Sequence, residues 1–302
     1  MPQQALREKL RGVSRARDVS AFLREVYTCW SEDRALTHGA ALAYYTLFSL
    51  APLLVLVIAI AGLAFGRAAA QGEIVGQMAG LIGESGARMI EGMITHASRP
   101  AAGLVAGAAS LATMVFGASG VVGQLQSSLN QIWDAPPPPP TSNAVRGALQ
   151  RRALALGLIL GVGFLLLVSL VISAALSALH DFATERIPLA AEVVPPLNFA
   201  FSFLTITSLF AMIYKILPDV KLEWRDVWVG AAVTAVLFSV GKSLIGVYLG
   251  RAGVTSVYGA AGSLVLVLLW IYYSAQLLFV GAEFTEVYAR RYGSRREPPS
   301  AA

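Results

Sequence analysis

The 302-residue chain is 56% hydrophobic and 14% charged, and carries a formal net charge of +5. Soluble domains carry about 25% charged residues, so the composition excludes a sizeable water-soluble domain and points to a membrane protein. The single cysteine, Cys29, excludes an internal disulfide and a cysteine-rich metal site.

Residues 1–18 read as a basic cytoplasmic arm, with Arg7, Lys9, Arg11, Arg15 and Arg17. No short apolar region with a small-residue cleavage site follows them, so the start is expected to stay on the protein. Over 19–38, Val19, Phe22, Leu23, Val26, Tyr27 and Trp30 recur at helical spacing between charged residues. This pattern predicts an amphipathic helix lying in the membrane interface.

A membrane domain is expected over 39–290. It contains six apolar runs, at about 41–65, 101–122, 153–176, 198–217, 227–249 and 262–282. Each reaches the roughly 20 residues that cross a hydrocarbon core about 30 Å thick, and only a helix satisfies its own backbone there without closing into a barrel. The predicted fold is therefore all-α, a bundle of six transmembrane helices with short amphipathic interfacial helices. Pro52 stands inside the first run and should kink it. Between the first two runs, Ile74, Met78, Leu81 and Ile82, then Met89, Ile90, Met93 and Ile94, predict two short amphipathic helices separated at Gly83–Gly86. They would cap a cavity or dock on lipid. The run Pro136–Pro140 reads as a stiff spacer between spans 2 and 3. Residues 291–302 read as a disordered cytoplasmic tail.

Basic residues alternate between loops. The N-terminal segment, the loop with Arg146, Arg151 and Arg152, the loop with Lys221 and Arg225, and the tail with Arg290, Arg291, Arg295 and Arg296 are rich in them; the other loops hold few. This asymmetry predicts that both termini are cytoplasmic. Glycine pairs four apart, Gly103/Gly107, Gly157/Gly161 and Gly246/Gly250, mark expected close helix contacts.

Within the spans, Lys242 is the sharpest residue. Placed near mid-span it costs at least about 2.5 kcal/mol, so it is expected to turn toward the protein interior, a carboxylate, a carbonyl or water; the alternative is that it snorkels outward or pairs structurally. Gln276 is a polar partner within the bundle, and Glu283 closes span 6, where it can meet a basic residue of the inner loops. Tyr44 and Tyr45 at the start of span 1, and Trp270, Tyr272 and Tyr273 in span 6, anchor the interface or line a cavity. No catalytic, metal or cofactor signature emerges. Gly241-Lys242-Ser243 lacks the earlier glycine of a phosphate-binding loop because position 236 is Val236. His38, His96 and His180 are scattered, and no GxSxG occurs.

Several segments together resemble one family: Ala43-Tyr44-Tyr45-Thr46-Leu47-Phe48-Ser49-Leu50-Ala51-Pro52; Tyr214-Lys215-Ile216-Leu217-Pro218 with Trp224-Arg225-Asp226; and Gly241-Lys242, Tyr258-Gly259-Ala260-Ala261-Gly262, Trp270-Ile271-Tyr272-Tyr273 and Gly281-Ala282-Glu283. In this pattern the chain resembles the YihY/BrkB family of bacterial inner-membrane proteins, over about 35–290. The resemblance implies six spans in the cytoplasmic membrane and a link to serum resistance. Members have carried the label ribonuclease BN, but the soluble segments here supply neither a metal site nor an acid–base set for hydrolysis. The expected function is transport or handling of an anionic or lipid-like envelope substrate. The competing expectation is a non-transporting scaffold for envelope integrity. Expected partners are membrane lipids and an envelope lipid precursor, not nucleic acid. The expected contacts are Lys242, Arg251, Tyr258, Gly259, Gly262, Trp270, Tyr273 and Gln276. The glycine-rich entry to span 6 would offer backbone amides to an anion.

Overall fold

A computed structural model describes residues 18–97, 120–136, 188–251 and 261–296, with scattered helical positions between 153 and 172. The arm 1–17, most of the runs expected at 101–122 and 153–176, the prolines at 137–140, Tyr258, Gly259 and the last six residues lie outside the described residues. Among the described residues the structure is helix and turn, with no strand.

Helix α1 covers 18–32. It ends at a turn in which Arg34 takes a left-handed backbone, φ 52. The amphipathic stretch read over 19–38 is thus divided, and its last residues begin α2, Ala35–Phe65. A proline has no amide hydrogen to give to the carbonyl one turn back, and α2 bends by 48° between Ala35–Ala51 and Leu53–Ala59. Gly66 follows at φ 83, a conformation open to glycine, and its N–H bonds Gly62 O. The chain reverses there into α3, Arg67–Ala97, which packs back on α2. Gly83, φ 77, breaks α3 into two amphipathic halves. Ile82, Ile90 and Ile94 face inward, while Gln77–Glu73 and Arg88–Glu84 pair at i,i+4 on the outer side. The halves dock on the bundle itself, against Ile58, Leu266 and Val267.

Helix α4 is described over 120–132. Helices α5, Pro188–Ile216, α6, Trp224–Arg251, and α7, Gly262–Arg291, follow. Three stretches are long and apolar enough to cross a membrane: Pro196–Ile216, Trp224–Gly246 and Gly262–Arg291; α2 is a fourth if its bent halves count as one. Helix α6 lies between α5 and α7, and α7 also packs on α2 and α3.

Apolar burial does not drive helices together in lipid, so close approach and internal hydrogen bonds must. That contact is concentrated where α5, α6 and α7 meet. A Cβ on Gly281 would fall 1.9 Å from Thr234 Oγ1 and 2.7 Å from the Tyr214 hydroxyl; one on Gly230 would fall 1.7 Å from Thr285 Oγ1. The space so left admits the fully buried Tyr214, whose hydroxyl donates to Leu278 O at 2.7 Å and lies 3.0 Å from Thr234 Oγ1. The glycine pairs expected from spacing behave differently. Gly161 packs closely, a Cβ there falling 3.3 Å from Met212 of α5, whereas Gly157 and Gly246 have open space where a side chain would stand, and Gly103 and Gly107 lie outside the described residues.

The α5–α6 turn is fastened to α4. Pro218 ends α5 and is buried, the Asp219 N–H donates to Asn130 Oδ1 at 2.8 Å, and Asn130 Nδ2 donates to Asp219 Oδ2 at 2.7 Å. Lys215 bonds Leu222 O and lies 5.5 Å over the Trp224 ring. Beyond α7, the Ser294 N–H and hydroxyl both donate to the buried Asp226, at 2.8 and 2.7 Å.

Candidate functional site

Of the residues expected to form one contact region, Tyr258 and Gly259 lie outside the described residues, and among the described ones Lys242 and Gln276 stand apart. Lys242 is exposed on α6, and no hydrogen bond or ion pair joins it to a described residue. Its exposure fits the outward alternative, not a turn toward the interior. Its neighbour Gly241 takes the inward face, where a Cβ would meet Leu277 and the Tyr273 hydroxyl. One residue further round a 3.6-residue turn points about 100° away. The span also begins earlier than the apolar run. Lys242 stands seven residues beyond the middle of Trp224–Gly246, about 10 Å along the helix, within reach of the head groups for a long side chain.

Trp270 and Tyr273 are half-buried in α7, Trp270 edge-on to Phe238 at 6.4 Å, and Gly262 is buried at the helix start. Arg251 is the last residue of α6. Gln276 belongs elsewhere: its Nε2 donates to Ala35 O at 3.3 Å, packed against Gly39. Tyr44 and Tyr45 are exposed on α2.

The polar interior lies at the arginine-rich end of α7, where α1, the turn before α2, and the end of α4 meet. Phe22 and Val26 of α1 pack on Val287, Phe284 and Tyr288. Arg290 bonds Glu25 at 2.7 Å and pairs with Glu286 at 3.6 Å; Arg291 pairs with Glu25 as well. Exposed pairs of this kind contribute at most about 1 kcal/mol each, so the apolar seam supplies more of the docking than the charges do. The other face of α1, with Val19, Leu23 and Tyr27, is exposed.

At the centre of this layer is Glu283, wholly buried, with neither carboxyl oxygen receiving an N–H or O–H donor. It joins none of the ion pairs among the described residues; the inner-loop residues Arg146, Arg151 and Arg152 lie outside them. The half-buried Asp33 belongs to the same layer. Burial pushes the Asp33 carboxyl above the ordinary aspartate range, with Asp134 adding to the rise and Gln131 acting the other way. Burial likewise raises the Cys29 thiol.

Two turns carry these groups, and both contain a non-glycine residue in the left-handed region, Arg34 at φ 52 and Asp134 at φ 47. Each costs on the order of 1 kcal/mol. Gln131 clasps the turns together, its Nε2 donating to Asp33 O at 3.1 Å. Its Oε1 accepts from His38 Nε2 at 2.8 Å, and His38 Nδ1 lies 3.1 Å from Ser128 Oγ. Arg295 donates to Trp133 O at 3.2 Å, and the buried Trp30 and Trp133 indole N–H groups find no acceptor. Sequence reasoning placed Glu283 at the end of a span but missed Asp33, His38 and Gln131, because nothing local announces a contact between residues so distant in the chain. No group of three His, Cys, Asp or Glu side chains able to hold a metal ion occurs among the described residues.

The profile of a family described as "Virulence factor BrkB" matches residues 26–302. A "UPF0761 membrane protein" of Verminephrobacter eiseniae is 28% identical over 82% of this chain and 57% of its own length. One of Aeromonas salmonicida is 26% identical over 89% of both, and one of Pseudomonas aeruginosa is 28% identical over 83% of this chain and 58% of its own length. The chain thus spans little more than half the length of some relatives. No solved structure matches it. With apolar helices long enough to span a bilayer and a family match over nearly its whole length, the chain is a multi-pass membrane protein belonging to the BrkB virulence-factor family.

Proposed function

We propose that this protein handles an anionic, lipid-like envelope substrate in the bacterial cytoplasmic membrane, with six spans and both termini on the cytoplasmic side. The carrying observation is Lys242, an exposed cation on α6 beside the exposed apolar residues Val236, Val240, Leu244 and Tyr248. A lysine on a lipid-facing surface is tolerated when its ammonium reaches phosphate oxygens at the interface. Arg251 continues the basic character nine residues further along α6. In this reading Tyr258, Gly259 and Gly262 form the entry to α7 and offer backbone amides to the same anionic group. Catalytic residues play no part in it.

The test uses the full-length protein in nanodiscs of mixed phosphatidylglycerol and phosphatidylcholine, with retained lipids counted by native mass spectrometry. Lys242→Met should lower phosphatidylglycerol retention several-fold, and Lys242→Arg should keep it. Equal retention by all three proteins would overturn the reading and favour a scaffold.

A further inference from the structure

We infer that α5 and α6 part at the end remote from Tyr214, and that the cleft between them seats the phosphate head group of one anionic phospholipid. This rests on the lipid-handling reading and deepens it, replacing an open surface around Lys242 with a site walled by two helices.

One stripe on each helix records the parting. Residues three and four apart share a helix face. On α6 the stripe runs through Val227, Ala231, Ala235, Phe238 and Lys242; the first three are wholly buried, Phe238 is half-buried and Lys242 is exposed. On α5 it runs through Tyr214, Phe210, Thr207, Phe203 and Phe199; the first three are buried, Phe203 is half-buried and Phe199 is 71% exposed, with Ala200 exposed beside it. The stripes meet where they are buried. The Tyr214 hydroxyl lies 3.0 Å from Thr234 Oγ1, and the Phe210 and Phe238 rings stand 5.7 Å apart. A short turn over 217–223 joins the two helices, so they run antiparallel and both stripes open toward the same end.

The Phe210–Phe238 pair is the floor of the cleft. Lys242 stands one turn, about 6 Å, beyond Phe238, whereas Phe199 stands about 16 Å beyond Phe210. The lysine is therefore set inside the mouth, at a depth that admits a head group while the acyl chains stay in the surrounding hydrocarbon. Lys242 is the charged member of two otherwise uncharged stripes, and a cation between apolar walls is stabilised by an anion. Ser243 is exposed next to it, and Gly246, one turn on, leaves open space. At the floor, the Trp270 indole N–H is a buried donor without a partner, its ring edge-on to Phe238 at 6.4 Å. The flanks are apolar, with Leu204 and Val240 exposed. A free inorganic anion does not cross such flanks from hydrocarbon, so the anion arrives on a lipid.

The test fills the cleft from the helix that does not carry Lys242. In full-length protein in nanodiscs of phosphatidylglycerol and phosphatidylcholine, Ala200→Trp should lower phosphatidylglycerol retention several-fold, as Lys242→Met does, with no further loss in the double variant. Ile216→Trp, exposed at the opposite end of α5, should retain the lipid like the wild type. Wild-type retention by Ala200→Trp beside a loss in Lys242→Met would overturn the cleft and leave the lipid reading standing; undiminished retention by both would overturn the two together. If Ala200→Trp fails to insert, a photoreactive p-benzoylphenylalanine in place of Phe199 decides. Its lipid adducts should be several-fold enriched in phosphatidylglycerol and lose that enrichment with Lys242→Met; adducts in the proportion of the nanodisc would overturn the cleft.

Discussion

The two ends of the bundle are built on opposite plans. At the end formed by α3, the far half of α2 and the start of α7, the interior is aliphatic: Ile58, Ile82, Ile90, Ile94, Leu266 and Val267 are buried together, and the charges of α3 face outward. At the arginine-rich end, Glu283, Asp226, Glu286 and Ser128 are buried and a hydrogen-bonded string runs from Asp33 through Gln131 to His38. Aliphatic packing tolerates repacking at modest cost, whereas a buried polar layer fails when one partner is lost. The chemistry that can respond to solution conditions therefore sits at the second end.

Substitutions can break this contrast, the largest effect coming from the helix crossing that supports the polar layer. Gly281→Val places atoms where Thr234 and Tyr214 stand and should cost at least about 3 kcal/mol, read as loss of folded protein or a lowered thermal midpoint in detergent. Tyr214→Phe removes the bond to Leu278 O and should cost about 1 kcal/mol. A smaller, pH-dependent effect follows from Asp33→Asn. Burial raises the Asp33 carboxyl, so the folded state holds that proton more tightly than the unfolded chain. Wild-type stability then falls as pH rises from the ordinary aspartate value toward the raised one. The Asn variant lacks this slope, so its midpoint should gain on the wild type across that window and keep the gain at neutral pH. Least affected is Lys242→Met, which touches no described partner and should leave unfolding within about 0.5 kcal/mol, while changing lipid retention if the proposed function holds.

The elements were legible in the sequence because each rests on local chemistry. Apolar runs gave the spans at α2, α5, α6 and α7; Pro52 and Gly83 gave a bend and a break. The family pattern picked out Tyr214 and Gly281, although only the structure gives the reason, that the glycine leaves room for the tyrosine hydroxyl. What stayed hidden depends on rotation and on long-range meeting. Whether Lys242 or Gly241 faces α7 is a matter of one residue of helical phase, and the apolar run placed the span's middle too close to Lys242. Glycine spacing alone marked Gly246, which packs on nothing, and passed over Gly230, which packs on Thr285. Asp33 and Gln131 meet across 98 positions of the chain, and no periodicity carries information over that distance.

Helix α7 runs unbroken for 30 residues, about 45 Å at about 1.5 Å per residue. A hydrocarbon layer about 30 Å deep cannot conceal all of it, so roughly 15 Å stands clear as a stiff mast with α1 strapped alongside. Any tilt of the mast within the bilayer is carried, without a joint to absorb it, to Arg290 and Arg291 at its tip.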